Sequence, residues 1–513
     1  MRFASVLFPL AVLAACAPAA TTAKTAPSPS ASVTSDSARS ARSIPGNDRV
    51  ALRRSIDSAV SAAKFSNAHW GILIVDPERG DTLYSLNAEK LFMPASNLKI
   101  ITGAAALAQL GADYQYHTAF VARGSVRDST LRGDLLIFGR GDPTISDHLR
   151  KDAMVPLREL ADSLRAHAIA RISGRLVPAG DAFPGPTLGF GWDWDDLDYA
   201  YGAGVDELLF NEGFATIIAR GGRRPGAPVT VETRPARRSP KVRVTARTVA
   251  ASAPEAPKAT APIFRWDSIG GGALVDGTIA VGDSTSDDVA YRVPNASYTD
   301  ALGEALQERG IRIDGRTFAD TMTHGDTLFT MLSLPLRDIL PALEKPSQNQ
   351  IAEVLFKTMA LERTGVGSAD SARAVVERQL VSWGARDGGY AIRDGSGLSR
   401  HDYVSPETLV RVLSTIRSDT AFHVFYEALP IAGVDGTIEH RIKGTPAEGN
   451  VHAKTGFVDK ARSLSGYATT ADGHMVIFSA LCNNWTVPTV EVEAVQNMIA
   501  ARLAGMRLVS PTP

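Results

Sequence analysis

From residue 112 to residue 330 the chain is a succession of short β-branched runs broken by glycine and proline, among them Leu135–Phe138, Phe214–Ala219, Val229–Glu232 and Val242–Thr245. Runs of that length between turn residues form strands, because β-branched side chains suit a pleated surface while Gly and Pro end it. This middle reads as one or two β-rich inserted modules, and it pushes most helical patterning into the flanks. Residues 50–64 have helical spacing (Leu52, Ile56, Val60, Ala63), and so does Ser96–Leu110, which Gly111 stops. Between them Trp70–Val75 and Thr82–Leu86 are strand-like on either side of the turn-rich Asp76–Asp81, which predicts a hairpin. Helical spacing returns at Tyr298–Arg309, Leu336–Leu343, Gln350–Thr364 and Ser371–Trp383. Strand-like runs follow at Val451–Lys454, Ser463–Thr469 and His474–Leu481, and a closing helix at Pro488–Leu503.

The first 46 residues have a different character. Met1 and Arg2 open a positive start, and the apolar run Val6–Leu13 is too short to remain in a bilayer, the pattern of a secretory signal. Leu13-Ala14-Ala15-Cys16 ends that run like a bacterial lipoprotein cleavage box. Residues 1–15 are then a signal peptide and Cys16 is the lipidated first residue of the mature chain; the alternative is ordinary cleavage after Ala15 or Ala20. Both readings export the protein to the periplasm or cell envelope, with membrane contact through the N-terminal lipid only. Ala17 stands where an aspartate would favour the inner membrane, which points to the outer one. From Ala17 to Ser43, 22 of 27 residues are Ala, Ser, Thr or Pro, so residues 16–46 read as a flexible tether that cannot bury enough surface to fold.

Charge excludes one class of partner. The formal net charge is −1, so no global field draws the chain to nucleic acid. The basic stretch Arg220–Arg247 and the Ala/Pro-rich Val249–Pro262 read as an exposed strand edge and a loose loop. Cys482, the second of two cysteines, lies in an apolar run and reads as a small buried hydrophobe. His401, His440, His452 and His474 are scattered without metal-ligand spacing, so neither metal nor organic cofactor is expected.

The chemistry-bearing residues fall in three short motifs. Ser96-Asn97-Leu98-Lys99 places a hydroxyl and an amine at i and i+3, on one helical face. A partly desolvated Lys99 could take a proton from Ser96; the bland alternative is a capping serine beside an exposed lysine. Ser347-Gln348-Asn349 precedes a helix and could relay protons and hold a carbonyl, or simply cap that helix. Lys454-Thr455-Gly456 ends a strand-like run, offering a cation, a hydroxyl and a bare backbone to a peptide carboxylate, or a plain turn. Asp394-Gly395-Ser396-Gly397 lacks the first glycine of a nucleophile elbow, so Ser396 reads as part of a structural turn.

Ser-x-x-Lys, Ser-x-Asn and Lys-Thr-Gly in this order are the set shared by β-lactamases and penicillin-binding proteins. The resemblance narrows further. Pro94–Lys99, Gly139–Thr144, Asp394–Ser399 and Ala432–Thr437 with Gly444-Thr445-Pro446 resemble the low-molecular-mass class C penicillin-binding proteins, the D-alanyl-D-alanine carboxypeptidase/endopeptidase family. That family carries large inserted domains between its first two motifs, as the separation of 251 positions from Ser96 to Ser347 would require.

The resemblance implies an α+β, multi-domain fold: a penicillin-binding-protein/β-lactamase-like transpeptidase domain, with an antiparallel sheet flanked by helices plus a helical subdomain. Residues 47–111 and 331–513 would form it around β-rich inserted domains at 112–330. It also implies that Ser96 attacks the penultimate D-alanine carbonyl of peptidoglycan stem peptides with Lys99 as base. Ser347 would return the proton, Asn349 would orient the acyl chain, and Lys454 and Thr455 would bind the terminal carboxylate. Gly456 belongs to the same strand, and backbone N–H groups of Ser96 and Phe457 would form the oxyanion hole. β-Lactam antibiotics would act as covalent inhibitors. Phe457 stands where a hydroxyl residue is common, which leaves open the balance between carboxypeptidase and endopeptidase action. Gln348 stands where Asp is common and is expected to point away from substrate. Asp181 and Asp193-Trp194-Asp195-Asp196 are acidic positions that could meet a stem-peptide amine, or solvated loop acids. The competing functions are an inactive peptidoglycan- or partner-binding envelope protein, which would not label with penicillin, and a β-lactamase or esterase, which would turn β-lactams over fast.

Overall fold

The computed structural model describes residues 45–251, 263–267, 271–316 and 325–508; the expected signal sequence, Cys16 and nearly all of the expected tether lie outside the described residues. The scaffold is a five-stranded antiparallel sheet drawn from both ends of the chain, in the order His452–Val458, Ala461–Thr469, Met475–Asn483, His69–Asp76 and Asp81–Leu86. Successive side chains of a strand face opposite ways, and Met475–Asn483 is apolar on both sides. Val476, Phe478, Ala480 and Cys482 enter one core, and Ile477 and Leu481 the other.

Helices Pro45–Val60 and Thr489–Gly505 cover the first face through Leu52, Ile56, Ile499 and Leu503. The second face carries the larger core. There the helix Leu98–Leu110 is surrounded by Leu336–Glu344, Asn349–Thr364, Ala369–Ser382 and Pro406–Ile416, with Phe422–Ala428 closing one side. Every residue from Leu98 to Leu107 is buried, as expected of a helix apolar all round. Lys99 is carried inside with it.

The middle of the chain builds two further cores. Around one, His117–Arg127 and Thr130–Phe138 pair at the centre of a six-stranded mixed sheet against helices Met154–Ala166 and Pro294–Glu308. Around the other, Phe214–Arg220, Thr230–Arg234 and Ser284–Ala290 form one small sheet and Val242–Val244, Ile263–Trp266 and Ala273–Asp276 another, closing on Ile217, Phe264, Val275 and Ile279.

Among the described residues four α-helices exceed the sequence expectation, the shortest being the single turn Asp147–Arg150. Met154–Ala166 buries Leu157, Leu160, Ala161 and Leu164 at helical spacing; Pro156 masks the pattern but sits in the first turn, where its missing N–H costs nothing. Pro406–Ile416 is capped by Ser405, whose hydroxyl accepts from Thr408 N, and Phe422–Ala428 is only seven residues long. In the basic stretch 220–247, Arg220 meets Glu232 and Arg243 meets Asp267 with the arginines partly in solvent, whereas Arg237 meets Glu304 with its side chain buried.

Candidate active site

Ser96 lies not in the α-helix but in a short 3₁₀ turn, Ala95–Asn97, and the α-helix starts at Leu98. Ala95 before it has φ +50°, a left-handed conformation that costs free energy in a non-glycine residue and persists where surroundings hold it. Two bonds hold this turn against the sheet. Asn97 Nδ2 donates to the Lys454 carbonyl at 2.8 Å, and Ser463 Oγ donates to the Pro94 carbonyl at 2.7 Å. The approach is close enough to demand glycine. A Cβ on Gly456 would stand 2.5 Å from Pro94 O and 3.0 Å from Asn97 N. Lys454-Thr455-Gly456 accordingly sits inside the strand His452–Val458 rather than at its end, and the hairpin turn falls after Val458.

Lys99 Nζ has three neighbours and no exposure: Ser96 Oγ at 2.9 Å, Asn349 Oδ1 at 2.6 Å and the Ser396 carbonyl at 2.8 Å. Two of these can only accept. The third, a hydroxyl, can also donate. A neutral amine has two N–H bonds for the two carbonyls and one lone pair, which this arrangement directs at the Ser96 hydroxyl. Burial favours that neutral form and lowers the Lys99 pKa to about 8, against the opposing pull of Glu344, Asp394 and Glu353.

Asn349 is oriented from the inserted region. Its Nδ2 donates to the Tyr201 carbonyl at 2.8 Å, which turns Oδ1 toward Lys99. Gln350 Nε2 donates to the carbonyls of Ala200 and Ala203, both at 2.9 Å. Gln348, expected to point away, binds Glu212 of the inserted region, and its own side chain caps the helix Asn349–Thr364. The capping role considered for Ser347 thus belongs to Gln348. Ser347 itself has φ +68°, and its Oγ accepts from Lys454 Nζ at 2.8 Å. Lys454 is fully buried; desolvation and the nearby Lys99 both push its pKa down, and Glu344 resists. Thr455 Oγ1 bonds Thr437 Oγ1 at 2.7 Å. The Phe457 ring is 46% exposed, with the Arg462 guanidinium 5.3 Å from its centre.

Beneath the site lies a carboxylate cluster. Glu353 accepts from Gly395 N at 3.0 Å and Ser396 N at 2.8 Å, and Asp394 accepts from Gly397 N, Ser399 N and Trp192 Nε1. These bonds fix the Asp394–Ser399 turn so that the Ser396 carbonyl faces Lys99; the Ser396 side chain is structural and its backbone contacts Lys99. Of the acidic positions in the inserted region, Asp193 pairs with Arg400 at 3.8 Å beside this turn, while Asp181 lines a separate cavity of about 440 Å³ with His117 and Arg140. Among the described residues no His, Cys, Asp or Glu cluster could hold a metal ion. Nor, among the described residues, is any helix long and apolar enough to cross a membrane.

The profile of the D-Ala-D-Ala carboxypeptidase 3 (S13) family matches residues 52–505. The chain belongs to this family. It is 31% identical over 468 residues to the D-alanyl-D-alanine carboxypeptidase of an Actinomadura species, covering 88% of this chain and 84% of that protein. It is 29% identical over 433 residues to the D-alanyl-D-alanine carboxypeptidase DacB of Haemophilus influenzae, covering 82% and 86%. The crystal structure of penicillin binding protein 4 (dacB) from Haemophilus influenzae matches with a TM-score of 0.73 and 25% identity, over 86% of this chain and 97% of that one. This member of the D-Ala-D-Ala carboxypeptidase family is therefore a serine-type peptidase with a penicillin-binding-protein fold, of mixed α+β, multi-domain build.

Proposed function

We propose that the chain is a serine D-alanyl-D-alanine carboxypeptidase and DD-endopeptidase that cuts peptidoglycan stem peptides through an acyl-enzyme on Ser96. The observation that carries this reading is the environment of Lys99: two obligate acceptors consume its N–H bonds and leave its lone pair on the Ser96 hydroxyl. Ser96 Oγ attacks the carbonyl of the penultimate D-alanine as its proton passes to Lys99, and the backbone N–H groups of Ser96 and Phe457 bind the oxyanion. The tetrahedral species collapses, the C–N bond breaks, and the leaving amine takes a proton through Ser347 from the Lys454 side. Water then hydrolyses the ester. Lys454 and Thr455 hold the substrate's terminal carboxylate. β-Lactams acylate Ser96 in the same way and deacylate slowly.

Phe457 contributes a backbone donor but no hydroxyl to the carboxylate end, so a substrate without a free terminal carboxylate there loses less than in a hydroxyl-bearing site. This supports cross-link cleavage alongside carboxypeptidase action. The inserted region 112–330 serves as a support for the second motif as well as separate modules, and the N-terminal segment exports and tethers the enzyme through Cys16 in the periplasm, at the outer membrane. Fluorescent penicillin should label wild type and not Ser96→Ala; absence of labelling in folded wild type would overturn the acyl-enzyme. Mass spectrometry of muropeptides should then show loss of terminal D-alanine and loss of cross-links. Palmitate incorporation that survives Cys16→Ser would refute the anchor.

A further inference from the structure

Glu344 ends the helix Leu336–Glu344, three residues before Ser347, and none of it reaches solvent. Neither carboxylate oxygen has a hydrogen-bond partner. An unpaired buried carboxylate is costly, so it persists where something nearby requires negative charge. Its position indicates what does. Gly103 lies four residues beyond Lys99 on the same helix, hence on the same face, and a Cβ there would stand 2.7 Å from Glu344 Oε1. Glycine in a helix interior costs about 1 kcal/mol relative to alanine. Here the missing side chain admits the carboxylate to the face that bears Lys99.

Both lysines of the site are buried, and Glu344 is the strongest of the charges that favour their protonated forms. Burial raises the carboxyl's own pKa to about 7, and Lys454 and Lys99 oppose that rise. The other charges acting on the pair are accounted for. Glu353 and Asp394, behind Lys99, accept the backbone N–H groups of the Asp394–Ser399 turn, and Arg462 beside Lys454 bonds Glu493. Lys345, next to Glu344, pairs with Asp435. Lys357, farther along the helix of Glu353, is directed at the Pro186 carbonyl. On the remaining elements packed against Leu336–Glu344, His423, Glu427 and His148 are exposed and Asp147 and Arg150 partly so.

We propose that Glu344 is the internal counter-ion shared by Lys99 and Lys454, a positioning residue that supports one positive charge between two amines. One carboxylate compensates one ammonium. The pair then holds one proton, and a substrate carboxylate arriving at Lys454 draws it there and leaves Lys99 neutral toward Ser96. The inference rests on the acyl-enzyme reading above.

The test is the pH dependence, from pH 5 to 10, of the rate at which fluorescent penicillin acylates the full chain. The rising limb reports loss of the first proton from the lysine pair and the falling limb loss of the second. Removing the negative charge releases both protons at lower pH. Glu344→Gln should therefore move both limbs down by about one unit, while Glu344→Asp, which keeps the charge, should leave the limbs near their wild-type positions. Gly103→Ala pushes the carboxylate aside and should shift the limbs the same way by less. Limbs that stay put in Glu344→Gln, with only the amplitude reduced, would overturn the counter-ion and leave Glu344 a packing residue. If Glu344→Gln does not fold, unshifted limbs in Gly103→Ala decide the same way. Wild type that fails to label at any pH would instead overturn the acyl-enzyme reading, and the counter-ion with it.

Discussion

Lys99 and Lys454 lie fully buried under Ser96, whereas Arg220 and Glu232, on the small β body, pair at 2.9 Å with 51% of each side chain in solvent. The residue types are equally charged, yet their surroundings reverse what governs them. Under Ser96 desolvation dominates: it lowers the Lys99 pKa to about 8, so a fraction of the amine is neutral at neutral pH where an ordinary lysine has almost none. On the β body water screens the pair and the contact is worth little. A charged residue in this chain thus becomes chemically useful where the fold removes water and supplies matched acceptors.

The sharpest way to break this contrast is Lys99→Met. Acylation by penicillin should fall about a thousandfold or more, while stability at pH 7 rises by about 1–3 kcal/mol, because an apolar chain replaces a buried amine. The sign is specific. Folded Lys99 loses its proton near pH 8 and the unfolded residue near its ordinary 10.5, so between those values only the unfolded state holds the proton and wild-type stability climbs with pH. Denaturant melts should show the variant's advantage present at pH 7 and shrinking toward pH 10. An advantage that does not change with pH would refute the desolvation account.

Gly456→Ala tests how closely the sheet must approach the serine turn. The added methyl meets backbone at Pro94 and Asn97, so a thermal melt should show a loss of about 2–3 kcal/mol, with acylation slowed roughly tenfold. Gln348→Ala asks whether the inserted region supports the second motif. It strips a helix cap and one partner from buried Glu212, which should cost about 1–2 kcal/mol and slow acylation a few-fold. The smallest effect belongs to the exposed pair. A double-mutant cycle through Arg220→Ala and Glu232→Ala should give a coupling under about 0.5 kcal/mol that fades with salt; a coupling above 2 kcal/mol would erase the distinction between the two regions.

Ser96, Lys99, Ser347, Asn349 and Lys454 are legible in the sequence because reactive residue types recur at short spacings in a fixed order. The strands and helices of the main sheet are legible because Leu52, Ile72, Phe478 and Ile499 follow the period of their elements. Glu344 is not legible: a glutamate at a helix end ordinarily faces water. Gly103 offers a faint signal, an isolated glycine in an otherwise alanine-rich helix whose occupant only the partner helix reveals. Tyr201 offers none, since its carbonyl would be the same from any residue type.

By itself the sequence determined which side chains could do chemistry, their order, and the split between a strand-rich middle and helix-bearing flanks, since all of these are local in residue type and spacing. The tertiary structure alone decided that a strand near residue 454 and a turn near residue 396 close over Lys99, that the middle of the chain returns through Tyr201 and Glu212 to steady Asn349 and Gln348, and that Glu344 is buried without a hydrogen-bond partner. Burial and the fields it amplifies arise from contacts hundreds of residues apart, and no local window of sequence contains them.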